Sequence, residues 1–181
     1  PEEAVLQRLY EGLMREVDAD TNDKVRLILI AERVGGAAAA NLVEGQMEVD
    51  SIAVRDQAVK SMWRMTYQDE TVAPDRAVVI EQVQTEVERL VNYAVLDGAL
   101  STRHGSRQVL LAAEVRLLRA RAEKRLFRLL GMVYAREPIE RAWVHYRNPD
   151  RRIRSNAIEL LDTTIDDADL RVVVSYAEST G

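Results

Sequence analysis

The chain contains no cysteine. That absence removes disulfides, thiolate catalysis and most structural zinc sites together, and it suits a reducing compartment such as the cytoplasm. Proline and glycine are scarce, four and eight among 181 residues, so few positions break a helix. Aromatic residues make up 5%, which leaves the core to Leu, Val, Ile, Ala and Met. No run of apolar residues approaches the roughly 18 that a membrane span needs. HExxH, Walker and GxGxxG motifs are all missing. Pro1 opens the sequence without Met or a signal-like segment, and the chain reads as a piece of a longer protein.

What is present favours helix. Apolar residues account for 47%, enough for a sizeable core at this length. Val5, Leu6, Leu9, Leu13 and Met14 recur at helical spacing and predict a helix over roughly 2–17. Asp18–Asp23 is a polar break. KVRLILIAERV could pass for a strand alone, but its polar start and the Gly35-Gly36 stop frame a second helix. Ala37–Met47 reads as a third helix, and Asp50 or Ser51 caps a fourth that carries Val54, Ala58, Val59, Met62 and Met65. Pro74 suits the first turn of a long helix reaching about Leu96. Gly98–Ser106 reads as the clearest loop.

From Arg107 to Tyr134 the spacing predicts a helix near 28 residues, roughly 40 Å long. Its expected buried seam is Leu110, Ala113, Leu117, Ala120, Lys124, Phe127, Gly131 and Tyr134, flanked by Leu118, Leu126, Leu130 and Val133, with Lys124 as the polar interruption. Helices carrying Ile139, Ala142, Trp143 and Tyr146, then Ile153, Ala157, Leu160, Leu161 and Ile165, follow. The second of these is preceded by Asn148-Pro149-Asp150, read as a cap and a first-turn proline. A segment with Leu170, Val172, Val173 and Tyr176 closes the chain as helix rather than strand.

One local pattern recurs: a polar turn, an apolar residue followed by Arg, then small or apolar residues at helical spacing. It occurs at Val25-Arg26, Val54-Arg55 with Ala58, and Ile153-Arg154 with Ala157. The arginines are 29 and 99 residues apart, the second near three units of about 33, a period typical of stacked helix pairs. This resembles HEAT-type repeats, closest at 148–161, looser at 18–31 and 50–62, and absent between about 70 and 135. The stretch Arg125–Asp162, with Asn148-Pro149 and Ala157–Asp162, also resembles the cytosolic HEAT-like region that follows the membrane part of bacterial carriers related to the ATP/ADP translocases. The resemblances imply an all-α, irregular, right-handed α-solenoid of stacked antiparallel helix pairs, with eight or nine helices. It would form one domain over 1–181: N-terminal pairs over 1–67, long helices over 74–134, and a C-terminal pair with closing segment over 136–176. They further imply a cytosolic appendage of a membrane protein such as a transporter, and they transfer no catalytic or transport residue.

Charge is arranged in blocks. Residues 1–100 hold 19 acidic and 10 basic side chains, residues 103–154 hold 14 basic and 5 acidic, and residues from 155 hold 6 acidic and 1 basic. The basic middle supplies the candidate contact surface: Arg116, Arg119, Lys124, Arg125 and Arg128 on the long helix, and Arg147, Arg151, Arg152 and Arg154 at a helix start, where cations oppose the helix dipole. Its expected partner is an acidic protein or the chain's own membrane domain, with an anionic lipid surface as a further option. Pairing with the chain's own acidic ends is the plain structural alternative. The functional rival is a nucleic-acid-binding solenoid of the DNA-glycosylase-like kind, which uses aromatic and carboxylate groups in its groove; here only Trp143 and Tyr146 lie beside the cluster.

Enzyme chemistry is poorly served. A Ser–His arrangement can be drawn from Ser101 or Ser106 with His104, but no nucleophile elbow or oxyanion motif supports it. His145 sits on a helix beside Tyr146. Gly35-Gly36 reads as a helix stop rather than a phosphate cradle, and Asp166, Asp167 and Asp169 lack the ligand spacing of a calcium loop. The sequence therefore reads as a non-catalytic interaction or regulatory module with no cofactor, no metal and no small-molecule substrate.

Overall fold

The structure, a computed structural model, describes residues 2–14, 21–102 and 105–180. Among these residues it is helical throughout, with no strand. The helices are α1 (Glu2–Met14), α2 (Thr21–Val34), α3 (Gly36–Glu44), α4 (Ile52–Gln68), α5 (Arg76–Ser101), α6 (Ser106–Val133), α7 (Arg136–Tyr146), α8 (Arg151–Thr164) and α9 (Arg171–Thr180), with one 3-10 turn at Ala168–Leu170. The chain forms two compact units, residues 1–78 and 79–181, divided in the first turn of α5.

In the first unit α2 lies against α1, α3 and α4, and α3 also meets α1 and α4. Ile28, Ala31, Ala39, Ala40, Val43, Val54, Ala58, Val59, Met62 and Met65 fill the core. Small alanines on α3 let backbones approach closely. Gly35 and Gly36 carry φ of 72° and 75°, a left-handed conformation that glycine adopts at no steric cost. The Gly35 N–H bonds the Ala31 carbonyl at 3.0 Å, closing α2 as the sequence leads one to expect. Buried Ser61 donates to Glu32, which also takes Arg64 at 3.2 Å, so α4 and α2 are tied by polar as well as apolar contacts.

In the second unit α5 and α6 run antiparallel. Glu86 pairs with Arg125 at 2.8 Å and Asp97 with Arg116 at 3.0 Å, so eleven residues forward along α5 match nine backward along α6. The chain then packs α6 on α7, α7 on α8 and α8 on α9. Phe127 meets Trp143 and Tyr146, with ring centroids 4.9 and 5.7 Å apart. Leu126, Leu129, Leu130, Ile139, Ala142, Ala157, Leu161, Ile165 and Val173 complete the core.

Several boundaries depart from the sequence reading. Pro74 lies outside α5, and the helix begins after Asp75, whose carboxylate accepts the Ala77 N–H at 2.8 Å. Gly98 to Ser101 are helical, so the described part of the expected loop shrinks to Thr102 and Gly105. Pro149 precedes α8 rather than entering its first turn; Asp150 is the cap, accepting from Arg152 N–H at 2.8 Å. The expected α6 seam is the largest correction. Leu110 is 71% and Leu117 45% exposed, and Ala113, Ala120 and Lys124 are exposed with them. Phe127 of that seam is buried, but the rest of the buried stripe is Ala112, Ala122, Arg125, Leu126, Leu129 and Leu130, because α5 takes the opposite side of the helix.

The recurrent Arg does have a common structural role. Arg55 Nη1 donates to the Val49 and Asp50 carbonyls at 2.7 and 3.3 Å, and Arg154 Nη1 to the Asn148 and Pro149 carbonyls at 3.2 and 3.3 Å. Each arginine thus reaches back six and five residues to the turn before its own helix. Arg171, which stands outside the recurrent pattern, also contacts the carbonyl six residues back, Ile165, at 3.5 Å. Arg26 pairs with Asp23 at 3.3 Å instead, and the turn before it lies outside the described residues.

The Arg125–Glu86 pair generates a stability prediction. Arg125→Met alone should cost the second unit about 3–5 kcal/mol, since Glu86 would remain buried with a lost partner. Glu86→Leu combined with Arg125→Met should regain most of that loss. Urea denaturation of the three proteins measures both, and a double variant no better than the single one would contradict the account.

Candidate functional site

The nine cations singled out from the sequence fall into three groups. Four are engaged within the fold. Arg116 pairs with Asp97, and Arg119 Nε with Glu123 Oε1 at 3.1 Å. Arg128 is half-buried and makes interactions of its own. Arg125 corrects the expectation outright: it is 1% exposed and belongs to no surface. Helical spacing places it on the inner face with Ala122 and Leu129, and Glu86 balances its charge there. Lys124, one residue earlier and so about 100° round the helix, is exposed.

The remaining cations gather around the α7–α8 turn. Arg147 lies over the Trp143 ring, 5.0 Å from guanidinium carbon to centroid, a cation–π contact that holds the side chain in place while leaving it exposed. Arg151 and Arg152 are exposed in the first turn of α8, which contains no acidic residue. Among the described residues, none of these three has a carboxylate partner. Arg154 is half-buried beside them, anchored to the turn carbonyls.

Folding brings Arg119, Arg147 and Arg154 to one open cleft of about 320 Å³, completed by Glu123 and Tyr146. Tyr176 of α9 reaches the same place, its hydroxyl donating to Glu123 Oε1 at 3.3 Å. Burial drives the Tyr176 pKa well above the ordinary tyrosine value, with Tyr146 and Glu123 adding to the effect and Arg119 opposing it. The Arg119 pKa is also raised: burial works against its charge, and Tyr176, Glu123 and Tyr146 outweigh it. Arg119, Glu123 and Tyr176 therefore form a fixed polar floor, with Arg147 and Arg154 along the rim. Such a cleft suits a carboxylate or phosphate oxygen. Glu123 and Tyr176 gave no local signal in the sequence, because only the meeting of α6 and α9 assembles them.

Of the enzyme-like candidates, His104 lies outside the described residues, and Ser101 donates its hydroxyl to the Asp97 carbonyl of its own helix at 2.7 Å. Asp167 accepts from Asp169 N–H at 3.0 Å and Asp162 pairs with Arg171 at 2.6 Å, so the C-terminal acidic residues serve caps and an ion pair. No cluster of three or more metal-ligating side chains occurs among the described residues. No helix there is long and apolar enough to cross a membrane. No protein family, curated protein or solved structure matches the chain.

The raised Tyr176 pKa carries a signed prediction. An unfolded tyrosine ionises near pH 10, while in the fold Tyr176 holds its proton beyond that. The stability linked to this group is present below about pH 10 and is lost as pH rises through the folded value. Tyr176→Phe should therefore flatten the alkaline fall in urea midpoint. An equally steep fall in the variant would show that other groups cause it.

Proposed function

We propose that the chain is a non-catalytic interaction module whose α7–α8 turn docks an acidic segment of a protein partner. One observation carries this reading: Arg147, Arg151 and Arg152 stand together, exposed and without carboxylate partners among the described residues, while neighbouring cations are neutralised inside the fold. Arg151 and Arg152 also sit where the helix dipole opposes them, at a cost of about 0.3–1 kcal/mol each. Cations held against that cost fit a binding role better than a structural one. The cleft floored by Arg119 adds a recess for an anionic group.

The wider setting belongs to the same proposal. The repeated arginine contact of α4 and α8 supports reading the chain as an irregular HEAT-like solenoid. The resemblance of Arg125–Asp162 to the appendages of translocase-type carriers supports placing it on the cytoplasmic side of a larger membrane protein. The acidic partner is then that protein's own membrane domain or a protein recruited to it.

The proposal predicts opposite signs for binding and stability. Arg151→Glu with Arg152→Glu should raise the thermal midpoint slightly at low salt, because acidic side chains suit a helix start. The same variant should weaken binding of a fluorescent glutamate-rich peptide by about tenfold or more, through lost long-range attraction. Anisotropy titrations at two salt concentrations test this. Tighter, steeply salt-dependent binding of duplex DNA would favour the nucleic-acid rival, and tighter binding of phosphatidylserine vesicles would move the surface to a membrane; either overturns the choice of partner.

A further inference from the structure

The exposed stripe of α6 is independent of the basic turn and asks for its own explanation. Ser106, Leu110, Ala113 and Leu117 recur at spacings of four, three and four, the interval that lines up one edge of a helix against another helix. All four are exposed, Leu110 at 71%, and Val109 and Leu111 beside them are exposed as well. The fold has already used the other side of α6, where Ala112 faces inward. A helix carrying an apolar edge on its outer side, with α5 already on its inner side, lacks a partner for that edge.

The edge is complementary to itself. Its residues alternate in size, small Ser106 and Ala113 with large Leu110 and Leu117. Laid antiparallel on a copy, with the two-fold axis between Leu111 and Ala112, each leucine meets a small residue: Leu110 opposite Ala113, Leu117 opposite Ser106. Charge obeys the same symmetry. Arg107 and Glu114 lie seven residues apart on the same flank of the edge, both exposed and neither with an ion-pair partner among the described residues. In an antiparallel pair equal flanks face each other, so this register brings Arg107 of one copy within two residues' rise, about 3 Å along the axis, of Glu114 of the other, twice. Knob sizes and flanking charges are thus both satisfied by one axis, a coincidence that a surface meant for an unrelated partner would not require.

We infer that the first three turns of α6 are a homodimer surface, pairing antiparallel with the same turns of a second copy. The overlap of residues 106–117 is about 18 Å long at 1.5 Å per residue. An interface of that size belongs to the weak, concentration-dependent class.

Sedimentation velocity of the 181-residue chain between roughly 10 μM and 1 mM should show a reversible monomer–dimer equilibrium. Leu110→Asp should leave only monomer at those concentrations. Arg107→Glu alone and Glu114→Arg alone should each weaken dimerisation about tenfold, since each turns two attractive contacts into two repulsive ones. The double exchange, Arg107→Glu with Glu114→Arg, should restore the parent affinity. These residues are exposed, so helical circular dichroism should be unchanged in every variant. A chain that stays monomeric throughout, or a dimer indifferent to the single exchanges or not recovered by the double one, overturns the inference.

Discussion

The ion pair between Glu86 and Arg125 fixes the second unit's functional geometry. Both charges are removed from water, and both carboxylate oxygens are used: one accepts from Arg125 at 2.8 Å, the other from Arg89 at 2.6 Å. A buried carboxylate is tolerable only when saturated in this way. A pair that must be met allows α6 one rotation about its own axis. With Arg125 turned inward, Lys124 and the Leu110–Leu117 edge must face out, and Arg119 with Glu123 must turn toward Tyr176. Apolar packing alone would specify that rotation less sharply, because α6 is apolar on two sides.

This two-sidedness explains where sequence reasoning succeeded and where it failed. Helix positions were legible because Gly35-Gly36, the Asn148–Asp150 turn and the scarcity of breakers mark them clearly. Helix orientation in α6 was not. Leu110, Ala113 and Leu117 form one regular edge by spacing, and Ala112, Ala122, Leu126 and Leu129 form another. Periodicity offers no means of ranking two apolar edges, and only the long-range requirement to bring Arg125 to Glu86 decides. The same cause moved Arg125 from the expected basic face into the core. The α7–α8 turn, by contrast, was readable: its cations are local, crowded, and at a helix start. The cleft floor was not, since Arg119 and Glu123 come from α6 and Tyr176 from α9.

The recurrent arginine shows how a sequence pattern acquires a physical meaning. Arg55 and Arg154 are 99 residues apart, and α4 and α8 begin at the equivalent Ile52 and Arg151. Three positions beyond each arginine lies a fully buried alanine, Ala58 and Ala157, followed four residues later by buried Met62 and Leu161. The arginine satisfies carbonyls that the preceding turn leaves without helical partners, and the alanine lets the helix lie close to its neighbour. Both residues do one job, setting a helix down at a fixed angle after a tight polar turn. That economy explains why the pattern tolerates Ser51 in one copy and Asp150 in the other.

The two tryptophans divide between the compact units, Trp63 on α4 and Trp143 on α7. Each half of the molecule therefore carries its own intrinsic fluorophore. Because a guanidinium rests on the Trp143 indole, emission from Trp143 is coupled to events at the α7–α8 turn.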